Sequence, residues 1–372
     1  MAGKLNGIVF VFLLFISSLL GSIFILFPFI PLAIYAPKLW RFFADRFVGY
    51  WLTFPASLIE FVFGCHFHVT GDLIKRDKPA LIIMNHRTRL DWMFLWNALY
   101  KMDPFLLTTE KISLKAPLKK IPGAGWAMGC GSYIFLERSF ESDKSTIESM
   151  MEYYAESNNT YQLLLFPEGT DRGERAMKLS NEFADKNGLP HYENVLHPRT
   201  TGFNYFIDLM QKHNYISYVY DVTLAYEDHV VESELQLLKE GKFPKNIHFD
   251  VKKYDISDLP ATPDERSNWL TSLWKEKESR LKRFYDGDHK LEPSGERFVW
   301  PVLTRGLGYY VTFAFWIFSC ILWLYLTYYY TLVKLYVLAA ICFYIYALKK
   351  HNGVEFLILH WFLNYQQKSK SL

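Results

Sequence analysis

The feature that most constrains this chain is a stretch near its beginning, from Leu5 to Pro37, that contains no charged residue. A helix crosses a bilayer core with about 20 apolar residues, so the stretch holds one pass but is short for two. It is too long for the apolar part of a secretory signal peptide and lacks a cleavage pattern. The stretch therefore predicts an N-terminal membrane anchor whose helix is kinked or ended by Pro28 and Pro31.

A second apolar region lies near the other end of the chain, from Gly306 to Leu348, and Lys334 is its only charge. The part before Lys334 is long enough for one span. Because a lysine can extend its ammonium group to the membrane surface, a second helix can begin before Lys334. We predict a helical hairpin here, and one span followed by an interfacial helix is the alternative. The aromatic-rich stretch from Trp40 to Trp51 predicts a helix along the membrane surface.

Positive charges predict the orientation of the chain in the membrane. Lys4 alone precedes the first apolar stretch, whereas Lys38, Arg41 and Arg46 follow it. Since cytoplasmic flanks carry the excess of lysine and arginine, the region between the apolar segments is expected to face the cytosol.

The end of the chain, which carries Lys368 and Lys370, is similar to the dilysine retrieval signal of endoplasmic reticulum membrane proteins. Such a signal is read by a coat receptor and acts only on the cytosolic side. We therefore expect a multi-pass protein of the endoplasmic reticulum membrane, with a retrieval-coat contact through these two lysines.

The chain divides into three parts, because apolar regions near both ends flank a middle part of mixed composition. The parts are residues 1–64, 65–290 and 300–372. The middle part alternates short apolar runs with longer amphipathic ones, which predicts an α/β domain with a mixed, largely parallel sheet flanked by helices. Functional sites in such domains lie at the carboxyl ends of strands. The predicted strands are His66–Thr70, Ala80–Met84, Tyr133–Leu136, Tyr161–Phe166, Tyr215–Tyr226 and Ile247–Tyr254. The predicted helices are Arg89–Tyr100, Ser145–Ser157, Ala176–Lys186, Gly202–Lys212 and Asp264–Tyr285.

Several classes of function are disfavoured by composition and spacing. A net charge of +3 over 372 residues gives no sign of nucleic-acid binding. The four cysteines are scattered, so they form neither a disulfide framework nor a zinc pattern. His66 and His68 share one face of a predicted strand, but no second ligand pair follows, and we expect no bound metal. Neither a Gly-x-Ser-x-Gly elbow nor a Walker A loop is present.

The first candidate for chemistry is the run from Asn85 to Asp91, which follows the predicted strand Ala80–Met84. His86 can accept a proton from a hydroxyl near neutral pH, and a carboxylate on its other nitrogen fixes the tautomer. The pair can meet only if His86 precedes the helix and Asp91 lies in its first turn. The alternative is structural, because Thr88 and Asp91 also fit a capping box.

Three further segments contain candidate binding residues. Phe166-Pro-Glu168-Gly169-Thr170 forms a turn after a strand, where Glu168 can accept hydrogen bonds from ligand hydroxyls and Gly169 permits close approach; the alternative is an ordinary acidic turn. Arg138 ends a predicted strand and its planar fork suits a phosphate. Arg199 precedes a predicted helix, whose N-terminus favours anions. A basic stretch also lies upstream of Arg138. It suits binding of acidic headgroups or CoA phosphates, and the alternative is a solvated charged face. Its lysines are Lys111, Lys115, Lys119 and Lys120.

Together these segments resemble the four sequence blocks of the glycerophospholipid acyltransferases, the lysophosphatidate acyltransferase-like enzymes. The order and spacing of the blocks match over about residues 80–203. The longer runs Asn85–Trp96 and Val195–Phe203 are similar to the animal lysocardiolipin and lysophosphatidylinositol acyltransferase subgroup. Here Asp171 separates Thr170 from Arg172, whereas many family members place an arginine directly after the threonine. The blocks are Asn85-His86 with Asp91, Gly131 to Arg138, Phe166 to Thr170, and Pro198.

The resemblance implies an enzyme that moves an acyl group from acyl-CoA to the hydroxyl of a lysophospholipid at a membrane. It assigns His86 as general base and Asp91 as its orienting partner, with acyl-CoA as co-substrate and no bound cofactor. It implies that the glycerol-phosphate portion is held by Arg138, Glu168, Gly169 and Thr170. Alternatives are a CoA-independent phospholipid transacylase, a lysophospholipase and a catalytically inactive membrane scaffold.

Overall fold

The computed structural model describes residues 2–137, 139–295 and 306–370. They form two compact units whose segments alternate along the chain. The first contains residues 1–8, 58–106 and 158–304, and the second contains residues 9–57, 107–157 and 305–372. The three predicted parts, residues 1–64, 65–290 and 300–372, are instead continuous in sequence. That division stays a prediction.

Fourteen α-helices are formed by the described residues. In chain order they are α1 (Ala2–Gly21), α2 (Leu32–Tyr35), α3 (Pro37–Val62), α4 (Asp91–Met102), α5 (Leu106–Thr109), α6 (Ala124–Cys130), α7 (Phe140–Glu156), α8 (Glu174–Asn187), α9 (Thr200–Lys212), α10 (Glu234–Glu240), α11 (Pro263–Asp286), α12 (Leu307–Tyr329), α13 (Thr331–His351) and α14 (Val354–Lys370). The strands are β1 (His66–Gly71), β2 (Ala80–Met84), β3 (Glu110–Lys115), β4 (Ile134–Leu136), β5 (Gln162–Leu165), β6 (Tyr218–Tyr226) and β7 (Asn246–Asp255).

Five strands of the first unit lie side by side in the order β1-β7-β6-β2-β5. All neighbouring pairs are parallel except β6 and β7, which run antiparallel. Strand β2 lies inside the sheet and every one of its residues is buried, as a strand covered on both faces requires. The prediction of a mixed, largely parallel sheet flanked by helices is therefore confirmed.

Helix α11 is the longest helix of the first unit and packs against this sheet. Its start is fixed by a capping box, in which Thr262 accepts from the backbone of Glu265 and the Glu265 side chain accepts in return. Pro263 occupies the first helical position, where its missing N–H costs no hydrogen bond. The buried face of α11 carries Trp274, and this residue reaches the candidate site described below.

The apolar helical segments lie in the second unit, except that the first begins with residues 4–8 of the first unit. Three helical segments are long and apolar enough to cross a membrane, namely Lys4–Phe29, Leu307–Tyr329 and Thr331–His351. In the first, the α-helix gives way to a π-helical turn and then a 3-10 turn around Pro28, as the prolines predict. The C-terminal region of the predicted hairpin forms two consecutive helices, α12 and α13. That both of them cross the membrane stays a prediction. Large apolar side chains on this pair are exposed, such as Leu332 at 81%, which suits a lipid-facing surface.

The prediction of an accessible basic stretch is wrong for two of its four lysines, whereas Lys115 is partly exposed and Lys120 is exposed. Lys111 is buried, and its Nζ donates to Asp45 Oδ1 at 2.9 Å. Lys119 is buried too, and its Nζ donates to the backbone and side-chain oxygens of Asn352. Because burying an ammonium group is favourable only with such partners, these two lysines serve the packing of the second unit. Strand β3, which begins at Glu110, was missed because buried charges interrupt its apolar pattern.

Candidate active site

Three parallel strands bring the candidate residues to one edge of the sheet. Strand β2 pairs in parallel with both β5 and β6, so the carboxyl ends of all three point the same way. Beyond these ends follow the loop from Asn85, the loop from Phe166, and the segment after Tyr226. Segments that are far apart in sequence therefore converge here, as expected for the carboxyl edge of a parallel sheet.

Asn85 fixes the first of these loops in place. Its amide nitrogen donates to the backbone oxygen of Leu224 at 3.0 Å, and its amide oxygen accepts from Leu224 N at 2.8 Å. This buried side chain thus extends the pairing of β2 and β6 by one step after β2 has ended. The residue that follows, His86, is held at a defined position although it lies in a loop.

His86 and Asp91 meet in the geometry that the sequence required. His86 precedes α4, and Asp91 is the first residue of that helix. The distance from His86 Nδ1 to Asp91 Oδ2 is 3.0 Å, and the two side chains are 11% and 0% exposed. Since a carboxylate only accepts hydrogen bonds, Nδ1 carries the proton and Nε2 of a neutral imidazole has a free lone pair.

Asp91 also binds Thr88 in the turn ahead of its own helix, so the pairing of these two residues that the structural interpretation required coexists with the His86 contact. Asp91 Oδ2 accepts from Thr88 N at 2.9 Å, and Asp91 Oδ1 accepts from the Thr88 hydroxyl at 2.9 Å. The Thr88 hydroxyl in turn accepts from Leu90 N at 3.1 Å. These bonds fix the buried carboxylate from several sides and aim it at His86.

An aromatic contact also holds the His86 ring in its orientation. Phe166, the residue after β5, stacks on the imidazole with ring centroids 4.0 Å apart and an angle of 23° between the planes. His86 Nε2 forms no hydrogen bond with any residue that the structure describes. An oriented, partly accessible imidazole with an available nitrogen has the geometry of a general base.

Glu168 joins three segments behind His86. Its Oε1 accepts from His86 N and from Trp274 Nε1, both at 3.2 Å, and its Oε2 accepts from Leu196 N at 3.1 Å. The side chain is buried, and burial raises the pKa of Glu168 to about 7 although these donors favour the charged form. Its hydrogen bonds show that Glu168 orders the loops of the site.

Gly169 and Arg199 lie against each other at the same edge. Gly169 has a φ of +74°, and a Cβ at this position would stand 3.2 Å from Cδ and Nε of Arg199. A side chain here would be strained by the backbone conformation and would crowd the arginine. Arg199 N donates to Pro167 O at 2.8 Å, which closes the turn. Thr170 is partly exposed, and its hydroxyl donates to Asp171 Oδ1 at 3.4 Å.

The structure thus brings together six of the seven predicted site residues in the first unit: His86, Asp91, Glu168, Gly169, Thr170 and Arg199. The seventh, Arg138, lies outside the described residues.

Two residues of the site were missed by sequence reasoning. The Tyr226 hydroxyl donates a short hydrogen bond to Asp91 Oδ1, and Trp274 donates to Glu168. Burial, and after it the charge of Asp91, raises the pKa of Tyr226 well above its usual range, so the phenol stays protonated and donates. Tyr226 is the last residue of the predicted strand Tyr215–Tyr226, and that position at a carboxyl end was the available signal.

Replacing Tyr226 by phenylalanine removes one hydrogen bond from the buried Asp91 carboxylate. We expect kcat for the acyl transfer that the family resemblance implies to fall about 5- to 30-fold, the effect of losing about 1–2 kcal/mol, with little change in KM. Steady-state kinetics in detergent or nanodiscs measures this effect. Tyr218→Phe, on the same strand, is the matched control, and equal rates for wild type and Y226F would contradict a positioning role.

A separate cluster of possible metal ligands is formed by His68 of β1, His248 of β7 and Glu227, which directly follows β6. The two imidazole rings stack with centroids 4.4 Å apart. His68 Nε2 is 3.1 Å from Asn246 Oδ1, and His248 Nε2 is 3.1 Å from Glu227 Oε2. Each histidine therefore already has a hydrogen-bond partner within the protein, and the cluster needs no ion to satisfy it.

Comparison with known proteins shows which families the sequence matches. The family model described as Acyltransferase matches residues 66–227, and the model described as Acyltransferase C-terminus matches residues 237–316. The first match contains the loops that carry His86, Asp91 and Glu168.

Individual relatives cover most of the chain. Lysocardiolipin acyltransferase 1 of Gallus gallus is 41% identical over 374 residues, which is 98% of this chain and 97% of the relative. Lysophosphatidylinositol acyltransferase 10 of Caenorhabditis elegans is 46% identical over 68% of this chain and 65% of its own length. A probable 1-acyl-sn-glycerol-3-phosphate acyltransferase 5 of Arabidopsis thaliana is 31% identical over 65% of this chain and 63% of the relative.

Proposed function

Because this chain belongs to the acyltransferase family and is an O-acyltransferase of the 1-acylglycerophospholipid type, we propose that acyl-CoA is its donor and His86 its general base. Its relatives support lysophospholipids as the acceptor class. The names of these relatives make lysophosphatidylinositol and lysocardiolipin the first acceptors to test, with lysophosphatidate third. The observation that carries the base assignment is the His86 Nδ1 to Asp91 Oδ2 distance of 3.0 Å with Nε2 left available.

In the proposed reaction, the lysophospholipid hydroxyl gives its proton to His86 Nε2 as its oxygen attacks the thioester carbonyl of acyl-CoA. The new ester C–O bond forms, the C–S bond breaks, and the imidazolium returns the proton to the departing CoA sulfur. Asp91 holds the proton on Nδ1 and stabilises the imidazolium. A positioned base of this kind contributes about 10²–10⁴-fold in rate. The reaction requires neither an acyl-enzyme nor a metal.

The remaining residues are proposed to position the substrates. Glu168 acts through the loops that it ties together, since its oxygens already accept three hydrogen bonds from protein groups. Gly169, Thr170 and Arg199 lie at the edge where the glycerol-phosphate portion must approach His86. Arg138 is proposed for the same portion from its block in the family resemblance alone.

We also propose the endoplasmic reticulum membrane as the location, with the catalytic domain facing the cytosol. The charge bias that follows the first apolar stretch supports this orientation, and the lysines at positions 368 and 370 suit retrieval-coat binding. The sequon Asn158-Asn159-Thr160 provides a test, because it remains unglycosylated in a cytosolic domain. Glycosylation at Asn158 in expressing cells would contradict the orientation.

The experiment that tests the function is an acyl-transfer assay on membranes that contain the full chain. Labelled oleoyl-CoA is offered with lysophosphatidylinositol, lysocardiolipin or lysophosphatidate, and a parallel reaction replaces the thioester with a labelled diacyl phospholipid. We expect transfer only from oleoyl-CoA. Transfer from the phospholipid alone would instead identify a transacylase, release of free fatty acid a lysophospholipase, and the absence of any reaction an inactive scaffold.

A further inference from the structure

Helix α8, which follows the second loop of the site, leaves two large apolar side chains uncovered. Among its 14 residues only Ala184 is buried. Leu179 and Phe183 are 55% and 48% exposed, and their spacing of four residues places them side by side on the helix. Single exposed apolar residues are ordinary, whereas a pair on one side of an otherwise polar helix indicates a surface that an apolar phase covers.

Positive charges stand at both ends of this apolar pair. Arg175 precedes Leu179 by four residues and Lys186 follows it by seven, so all three share one side of the helix. Both cations are exposed, and neither forms an ion pair within the described chain. We call Arg175, Leu179, Phe183 and Lys186 the α8 stripe. The acidic residues of the helix lie round its polar side instead, namely Glu174, Glu182 and Asp185.

The chemistry of the α8 stripe fits the surface of an anionic lipid bilayer. Leu179 and Phe183 can enter the region where headgroups meet acyl chains, while Arg175 and Lys186 extend their charges to the lipid phosphates. The described chain has three helical segments long and apolar enough to cross a membrane, so a bilayer is always beside the protein. The orientation proposed above places the stripe beside the cytosolic leaflet, which carries anionic lipids.

The α8 stripe also begins close to the catalytic loop. Arg172 N donates to His86 O at 2.9 Å, and α8 starts two residues later at Glu174. At the rise of an α-helix, Leu179 lies only about 7.5 Å along the axis from Glu174. A bilayer in contact with the stripe therefore lies near the place where a lysophospholipid hydroxyl must reach His86.

We propose that the α8 stripe docks on the anionic surface of the bilayer and holds the catalytic edge of the sheet beside the lipids. A lysophospholipid can then present its glycerol hydroxyl to His86 while its acyl tail stays among the lipid chains, which avoids the cost of moving each methylene group into water. The proposal deepens the proposed function and rests on it, because it concerns how the lysophospholipid reaches the site.

Lipid contact is measured directly, without turnover, by quenching of a fluorophore on α8. The full chain carries Cys342→Ser, which removes its exposed cysteine, and a bimane label on Leu179→Cys. Nanodiscs contain phosphatidylserine and lipids with brominated acyl chains. We expect loss of emission from position 179 and none from the control Lys178→Cys, which points to the polar side. Unquenched emission at position 179 would overturn the proposal, as would cross-linking of two copies there without quenching.

Kinetics test whether the docking delivers substrate. For a long-chain lysophospholipid in nanodiscs, Leu179→Ser with Phe183→Ser is expected to lower kcat/KM about 10- to 100-fold, the effect of losing two partly buried apolar side chains. A short-chain lysophospholipid dissolved in water should keep the wild-type kcat/KM. Arg175→Gln and Lys186→Gln should each lower kcat/KM about 5-fold, and only when the nanodiscs contain phosphatidylserine. Lys178→Gln is the matched charge control and should change nothing.

Two further comparisons separate docking from folding. Leu179→Met with Phe183→Met keeps apolar side chains and should retain the wild-type rate. The ring of Phe183 lies 5.8 Å from that of His197, so Leu179→Ser alone tests the stripe if the double variant fails to fold. Equal losses for the long-chain and short-chain substrates would overturn the proposal. Wild-type protein that shows lipid quenching at position 179 but transfers nothing from acyl-CoA would contradict the proposed function and leave the docking intact.

Discussion

Replacing His86 by glutamine is expected to lower kcat for acyl transfer by about 10²–10⁴-fold. The glutamine amide can still donate a hydrogen bond to Asp91, but it cannot take up the proton of the attacking hydroxyl. The side chain is partly accessible, at 11% exposure, so the substitution should leave the fold and membrane insertion intact. Initial rates with saturating oleoyl-CoA and lysophospholipid, normalised to the amount of folded protein, measure the effect.

The chain provides its own control for this experiment. His191 and Asp185 form a second histidine–aspartate pair, with 2.7 Å between Nε2 and Oδ1, but both side chains are exposed, at 52% and 68%. We expect His191→Gln to transfer acyl groups at the wild-type rate. A drop of the same size in both variants would show that loss of a histidine–aspartate contact is damaging in general, and would remove the support for His86 as the base.

Replacing Asp91 by asparagine is expected to damage both catalysis and stability. The carboxylate accepts from Thr88, Tyr226 and His86, whereas an amide has only one accepting oxygen. At least one buried donor then loses its partner, at a cost of about 1–3 kcal/mol. If the amide nitrogen faces His86, the imidazole proton moves to Nε2 and the base is lost, which lowers kcat by about 10²–10⁴-fold.

Thermal unfolding and kcat are measured together on the Asp91→Asn protein. Asp185→Asn, in the exposed pair, is the matched control and should change neither quantity appreciably. Full activity in Asp91→Asn at a lowered unfolding temperature would mean that Asp91 serves only to stabilise the turn ahead of α4. That outcome would favour the structural interpretation of the Thr88–Asp91 motif over the catalytic one.

The sequence predicted the parts of the fold that local patterns determine. The strand Ala80–Met84 has the predicted bounds because its apolar run lies between Pro79, which cannot donate a backbone hydrogen bond, and the polar Asn85. The pairing of Thr88 with Asp91 required only neighbours three residues apart, and it placed His86 just ahead of α4. The strand-end position of each motif then followed from the topology of parallel sheets.

Some roles could not be predicted from the sequence, because they depend on contacts between residues far apart in the chain. Tyr226 and Trp274 meet Asp91 and Glu168 from 135 and 106 residues away, and no local pattern specifies such a pairing. Lys111 was expected either to meet anionic groups of the substrates or to be solvated, because lysine is seldom buried, yet the distant Asp45 makes its burial possible. In each case a polar group acquires its role from a partner that only the folded chain provides.

The central claim is direct transfer from acyl-CoA to a lysophospholipid hydroxyl with His86 as the base. A single-turnover reaction with thiol-reactive detection of CoA and a radiolabelled acyl chain tests it most directly. The proposed mechanism predicts that each diacyl phospholipid formed releases one CoA, that no label remains on denatured protein, and that His86→Gln loses both products together. Label bound covalently to the protein before product appears, or a wild-type rate in His86→Gln, would contradict it.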